Sequence, residues 1–511
     1  MSMPPNPLLF LSAGEASGDH YGARLIAELK QHLPGAAFTG LGGAEMAAEG
    51  QHQTVRAEDV AVMGITEILR HIPRIVASYR KLVRSIQREK PAVAVLIDFP
   101  DVNFRLAKHL HAAGVPVIWF VSPQLWAWKR SRLRWVQQRV AKMMVIFPFE
   151  ETFYRNRGVA AEFVGHPLAE AALPTISRED YAAKYDLDPA KIWIALLPGS
   201  RWKEIRGNLP ALHELAVSDL INTHSSEITF DGDRLELPTN SAAHTRYEFL
   251  LPVASTIDRN RLEAFIADLD REALRYFNEP GSAPSGPWAL NPDPLHPRLT
   301  LVSDAREALF HARASVVASG TATIQAAVIG NPFVVVYRVS PLTFALAKKL
   351  VEYPEEFPNM ADASGNQPIA MVNLIAQRRL VPELLQQNFT AANVAQALAP
   401  LLADTPEREA QIAGLAEVRT LLNPAIATEP PQTSVISTEP PQTSVISTEA
   451  PPSPVISTEA QRSGEIAAFP PAGTGQNPAQ TSIAHLAAAV LEALCKSEPV
   501  KSSSKVSDGP N

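Results

Sequence analysis

Three stretches of the 511-residue chain carry residue types that can move a proton or hold an anion, and each follows an apolar run. In "PAVAVLIDFPDVNFRLAKHL" the run at 93–97 delivers Asp98, followed by Asp101 and Asn103. An acid at the end of a buried strand can accept the proton of an attacking hydroxyl, an effect worth about 10²–10⁴-fold. The plainer expectation is that Asp101 or Asn103 caps the helix that follows. In "IWIALLPGSRWKEIRGNLP" an apolar run enters Gly199, Ser200 and Arg201, where backbone N–H groups and a guanidinium fork suit a diphosphate. The alternative there is a glycine turn beside a surface arginine. In "ARASVVASGTATIQAAVIGNP" Ser319, Gly320 and Thr321 precede a helix and repeat the arrangement. These turns carry neither a Gly-Lys-Ser/Thr loop nor Gly-x-Gly-x-x-Gly, so a sugar nucleotide is favoured over a redox cofactor and no cofactor is expected. Asp231-Gly232-Asp233 spells a possible metal-holding acid pair, but alternating apolar residues on both sides make it a plain turn, and no metal site is expected.

Such turns need a scaffold that brings strand ends together. Over the first 170 residues short apolar runs at 8–11, 93–97, 115–121, 143–147 and 163–164 alternate with amphipathic segments, the pattern of strands and helices around a parallel sheet. After "GHPLAEAALP" the rhythm restarts with runs at 192–197, 247–253, 299–302, 315–318 and 333–337. We therefore expect an α/β protein of two doubly wound units, 1–170 and 171–423, with ligands at the carboxyl ends of the strands. His166 stands at the seam, as a structural residue or as one bordering the cleft. Residues 223–246, with "EITFDGDRLELP", read as a hairpin inserted in the second unit. From Thr428 the unit "TEPPQTSVIS" repeats, and its proline and Ser/Thr content predicts a flexible low-complexity insert over 424–481. "SIAHLAAAVLEALCK" then predicts a helix over 482–497 docked on the fold, ahead of a disordered tail at 498–511.

Composition narrows the class. With 46% hydrophobic and 19% charged residues the chain can bury two cores. The single cysteine, Cys495, excludes an internal disulfide, and no basic residue precedes the short apolar stretch at the start, so a cytoplasmic setting is expected. No run approaches the roughly 18 apolar residues that cross a bilayer. A net charge of −7 argues against a nucleic-acid partner. The charge is uneven, however: Arg70 to Lys90 holds seven Lys or Arg against one acid, and Trp126 to Lys142 holds six against none. The first cluster adjoins Val62, Met63, Ile65, Ile68 and Leu69, and the second contains Trp126, Trp128 and Trp135. Tryptophan beside Lys/Arg is the composition of a surface that meets anionic lipid. It also suits stacking on single strands or a core helix with a solvated basic face.

The blocks "SAGEASGD", "VMGITEIL", "IDFPDVNFRLAK", "SPQLWAWKRSR", "FPFEETFY", "FVGHPLAE", "LLPGSRWKEI", "ASGTAT" and "VNLIAQRRLVPELLQ" resemble, in order, those of the lipid-A-disaccharide synthases. The resemblance runs from about residue 7 to 420. It implies a GT-B fold, two Rossmann-like domains facing across a cleft, and an inverting, metal-independent hexosyltransferase. The implied reaction joins UDP-2,3-diacylglucosamine to 2,3-diacylglucosamine 1-phosphate at the cytoplasmic face of the inner membrane, as a peripheral enzyme. By the same resemblance Asp98 is the general base, and Glu15, Ser17, Asp19, Asn103 and His166 line the acceptor side, where glycines let backbone approach the sugar. Gly199, Ser200, Arg201, Ser319, Gly320, Thr321, Gln325 and Asn373 hold UDP, and Val62, Met63, Ile65, Ile68, Leu69, Trp126 and Trp128 meet membrane and acyl chains. One departure matters: Gln325 stands where the family carries a ribose-binding glutamate, and a neutral amide there weakens donor binding without abolishing it. "EYPEEFPNMADASGNQPIAMVNL" is also longer than the family pattern. Two other readings stay open, a GT-B epimerase or transferase with a soluble acceptor and a non-catalytic nucleotide- or RNA-binding protein. Deleting residues 428–461 is expected to leave transfer activity within twofold of the full chain, measured as UDP release; a tenfold loss would give the repeat a working role.

Overall fold

The computed structural model describes residues 6–60, 65–217, 230–231, 234–235, 247–278, 299–362, 365–423 and 481–496. In the N-terminal half seven strands form one parallel sheet: β1 (Leu8–Ala13), β2 (Ala37–Gly42), β3 (Gln51–Arg56), β4 (Val93–Ile97), β5 (Val117–Phe120), β6 (Lys142–Val145) and β7 (Ala161–Phe163). Their spatial order is β3-β2-β1-β4-β5-β6-β7. In the C-terminal half β8 (Ile192–Leu197), β11 (Tyr247–Pro252), β12 (Leu299–Val302), β13 (Ala314–Ala318), β14 (Phe333–Tyr337) and β15 (Glu383–Leu385) form a second parallel sheet in the order β12-β11-β8-β13-β14-β15. Each half thus winds as 3-2-1-4-5-6, the first with one strand added. The order reverses between β1 and β4 in one half and between β8 and β13 in the other, the two positions where an open α/β sheet leaves a crevice.

Register places the candidate residues at those crevices. Ala13 pairs with Ile97, so the turns at Gly14-Glu15 and at Asp98 leave neighbouring strands. Val317 pairs with Leu197, so Gly199 to Arg201 and Ser319 to Thr321 do the same in the second sheet. All five residues of β4, Val-Ala-Val-Leu-Ile, are fully buried, as a central parallel strand covered on both faces requires.

The two carboxyl edges touch each other. Loops after β5 and β6 meet a segment that follows β14: Glu352 N donates to Ala127 O, Trp126 stacks on Tyr353 and packs against Phe357, and Arg157 pairs with Glu356. At the seam His166 N donates to Leu422 O. The helix Ser482–Lys496 returns to the N-terminal half, burying Ile483, Leu486 and Val490 in the cluster that holds Leu25, Ile26 and Phe120. β9 (Phe230–Asp231) and β10 (Arg234–Leu235) pair antiparallel. The remainder of 223–246, residues 424–480 and residues 497–511 lie outside the described residues, the repeat and the tail among them.

Two expectations about "SAGEASGDH" change. A Cβ on Gly14 would overlap the Phe99 ring and one on Gly22 would overlap Met46, so these glycines make room for protein side chains. The helix Ala16–His32 has Glu15 at its N-cap position with no side-chain cap bond. Asp19 is buried and caps a different helix, Ala44–Ala48, by accepting from Gly43 N at 2.7 Å, Glu45 N at 3.0 Å and Met46 N at 3.2 Å. Removing that carboxylate strands buried donors, so Asp19→Ala is expected to cost about 2–3 kcal/mol, and Asp19→Asn less, read as loss of melting temperature and denaturant midpoint.

Candidate active site

Asp98 and Phe99 both have left-handed backbone, φ 44° and 47°, at the point where β4 becomes the helix Pro100–Ala112. Two successive non-glycine residues in that region are costly, of order 1 kcal/mol or more each, and persist only where surroundings over-determine them. Asn103 does much of this. Its fully buried amide donates to Asp98 O at 2.7 Å and Ile97 O at 3.3 Å, while its oxygen accepts from Ser12 Oγ at 2.7 Å. Asp98 N donates to Phe120 O on β5, and the Phe99 ring fills the space that Gly14 leaves. The expected cap is therefore absent. Phe99 is the N-cap residue with Pro100 behind it, Asp101 is exposed and pairs with Arg132 at 3.2 Å, and Asn103 positions the acid turn from inside the helix, without lining the acceptor site.

The Asp98 carboxyl, mostly buried, is pushed up to about 6, first by loss of solvation and then by the Glu15 carboxylate. The peptide N–H of Phe99 pulls the other way. The Glu15 carboxylate is thus near enough to raise Asp98, and Ser17 is exposed in the first turn of the helix that follows Glu15. Tyr21, whose hydroxyl is raised by burial, also senses Asp98. It stands on the same helix face as Ser17, an i, i+4 spacing that could have flagged it.

In the second crevice the two turns differ. Gly199 has φ 126°, and the N–H groups of Ser200 and Arg201 are donated to Glu204 Oε2 at 3.0 and 3.2 Å. The nest expected to meet a diphosphate therefore holds a carboxylate of its own chain. A Cβ on Gly199 would overlap that side chain. The signal was local: Glu204 is the third residue of its helix, half of a capping box. The Arg201 side chain is 71% exposed and only 3.5 Å from Glu204 Oε1, so it is able to reach outward. The Ser319 turn is open. Gly320 has φ 152° with nothing within 4 Å of where a Cβ would stand, Thr321 is exposed, and the helix Thr321–Ile329 opens there with no acid in its first turn. Gln325 lies half-buried one turn on.

Comparison with known proteins fits this arrangement. The lipid-A-disaccharide synthetase family matches residues 9–231 and 292–436. The lipid-A-disaccharide synthase of Acidobacterium capsulatum is 50% identical over 426 residues, covering 83% of this chain and 93% of its own, and that of Koribacter versatilis is 45% identical over 413, covering 80% and 92%. The chain belongs to the lipid-A-disaccharide synthetase family. A solved structure described as an S. aureus MnaA-UDP co-structure overlaps 82% of this chain and 95% of that one at 13% identity and a TM-score of 0.47.

Of the other residues carried over from the lipid-A-disaccharide synthases, several are buried inside the fold. His166 is buried, its Nδ1 accepts from Leu168 N at 3.1 Å, and burial holds its ring down to about 3, so it is a neutral cap at the seam. Asn373 is fully buried: it donates to Val381 O and Glu383 Oε1 and accepts from Leu380 N and Val381 N, which leaves nothing for a nucleotide. Trp126, expected at the membrane, is 2% exposed and packed between the halves. Trp128 is 42% exposed, with Lys129 Nζ 4.0 Å from its ring centroid. Val62 and Met63 lie outside the described residues, as do the side chains of Ile65, Ile68 and Leu69, whose backbone begins the helix Ile65–Glu89. The apolar surface that the sequence reading missed is the helix Pro341–Leu350, where Leu346 and Leu350 are 55% and 53% exposed beside Lys348 and Lys349. Helical spacing alone reads these leucines as core.

A raised carboxyl binds its proton more tightly folded than unfolded. Its stabilising effect is therefore present below about pH 4 and is lost as pH climbs through about 6. Asp98→Asn is expected to be more stable than the parent by on the order of 2 kcal/mol at pH 7.5 and to show no such gain at about pH 3.5, measured by denaturant unfolding.

Proposed function

We propose that this chain transfers 2,3-diacylglucosamine from UDP to the 6-hydroxyl of 2,3-diacylglucosamine 1-phosphate, forming a β-1,6 disaccharide and UDP. The observation that carries the reading is Asp98: a strained, partly desolvated carboxyl at the switch point of one sheet, in a chain of this family. Its pKa near 6 makes it ionised, yet basic, around neutral pH. The acceptor's hydroxyl proton passes to the Asp98 carboxylate while the oxygen attacks the donor's anomeric carbon from the face opposite UDP. The bond to the β-phosphate oxygen breaks, its electron pair leaves with UDP, and the anomeric configuration inverts.

Leaving-group charge is met in the other half. The open N–H groups at Gly320 and Thr321 face the β-phosphate, helped by the dipole of Thr321–Ile329. Arg201 swings from Glu204 to the same phosphate, and Gln325 takes a ribose hydroxyl with a neutral amide. No helix among the described residues is long and apolar enough to cross a membrane. Trp128, Lys129 and the helix Pro341–Leu350 form the surface that rests on the anionic cytoplasmic leaflet of the inner membrane, where both acylated substrates reside.

Product analysis tests the reading. Incubation with both acylated substrates should give a disaccharide 1-phosphate and UDP in equal amounts, and Asp98→Asn should cut kcat by about 10²–10⁴-fold with little change in either KM. Reaction of unacylated UDP-N-acetylglucosamine alone, or an unchanged kcat in Asp98→Asn, would overturn it.

A further inference from the structure

A second concavity opens one helical turn from Asp98, on the outer face of the N-terminal half. It encloses about 420 Å³ between the helices Ile65–Glu89, Pro100–Ala112 and Leu133–Arg139. Arg105, Lys108, Arg132 and Arg139 line it, and its one lining acid, Asp101, is already paired with Arg132. Among the described residues no carboxylate comes within ion-pair distance of Arg105, Lys108 or Arg139. Its floor is aromatic. The Phe104 and Trp135 rings meet edge to face at 5.8 Å, and Phe104 rests on fully buried Trp119 at 4.8 Å. The Arg132 guanidinium sits 5.4 Å from the Phe104 ring and that of Arg139 sits 5.3 Å from Trp135, which holds both planes over the floor.

A solvated basic face needs neither a hollow nor an aromatic floor, and four cations drawn together repel unless an anion joins them. We propose that this groove binds the phosphate monoester of the acceptor, with the sugar running back along the helix to Asp98. The inference rests on the reaction proposed above and adds to it the residues that select a phosphorylated acceptor. Arg105 lies seven residues beyond Asp98, about 10 Å along a helix axis; the acceptor's 6-hydroxyl and 1-phosphate are carried on the two carbons that flank the ring oxygen, a shorter span, and the extended Arg105 and Lys108 side chains cover the rest by reaching back toward Asp98. The groups that face the phosphate are planar guanidinium forks and one ammonium, a set matched to a dianionic monoester.

The test compares two acceptors, with and without the 1-phosphate, in the full chain and in the double variant Arg105→Gln/Lys108→Gln, with equal melting temperatures as the control for folding. The parent should prefer the phosphorylated acceptor through KM. The variant should raise KM for that acceptor about 10–100-fold, leave kcat within a few-fold, and leave KM for the dephosphorylated acceptor unchanged; Arg105→Lys should recover part of the loss. An equal change for both acceptors, or none for either, overturns the proposal. So does a variant that keeps its preference among acceptors but no longer binds phosphatidylcholine vesicles containing phosphatidylglycerol, because the cations then read membrane phosphate. If the parent transfers to neither acceptor, the reaction reading fails by itself. The groove is then judged by calorimetry with glucosamine 1-phosphate and glucosamine, where only the phosphorylated sugar should bind and only the parent should bind it.

Discussion

The acid turn at the end of β4 governs the N-terminal half. Asp98 and Phe99 leave the strand through a backbone conformation that side chains oppose, and four separate elements hold them there. Ser12 from β1 orients the Asn103 amide, Asn103 holds two carbonyls, Phe120 on β5 accepts the Asp98 N–H, and Gly14 gives way to the Phe99 ring. The cost of the conformation is spread over contacts that all require the order β1-β4-β5. A carboxyl placed this way is preorganised: its direction is set before any substrate arrives, and its partial desolvation, together with Glu15, makes it a stronger base than a surface aspartate.

The C-terminal half brings two glycine-containing turns to its own switch point. Its two turns have similar sequences and opposite states. The Gly199 turn is satisfied internally by Glu204, which keeps Ser200 and Arg201 in place and leaves the guanidinium loosely held. The Ser319 turn keeps its donors open at a helix terminus free of acids. Both turns are exposed, at Ser200-Arg201 and at Gly320-Thr321, and they differ in whether a carboxylate of the chain already occupies their N–H groups.

Apolar and basic residues at the rim behave differently from what their composition suggests. Tryptophan next to arginine reads equally as a membrane face or as packing. Trp126 is buried between Phe149, Tyr353 and Phe357, whereas Trp128, two residues on, is exposed. Exposed leucines on Pro341–Leu350 belong to the opposite half.

The amino-acid sequence by itself determined the alternation of buried strands and amphipathic helices, the place of Asp98, Arg201 and Ser319 at strand ends, and the family blocks, because hydrophobic period and local turn chemistry are properties of neighbours in the chain. Strand order, and with it the pairing of each candidate turn with its partner, was decided only in the folded molecule. Asn103 reaches Ser12 across 91 positions and Asp19 caps a helix 24 positions away, contacts that no local pattern encodes. Asparagine and aspartate near a cleft look alike on paper whether they face a ligand or a buried peptide N–H. Burial is the property that separates them, and burial exists only once the sheets have closed.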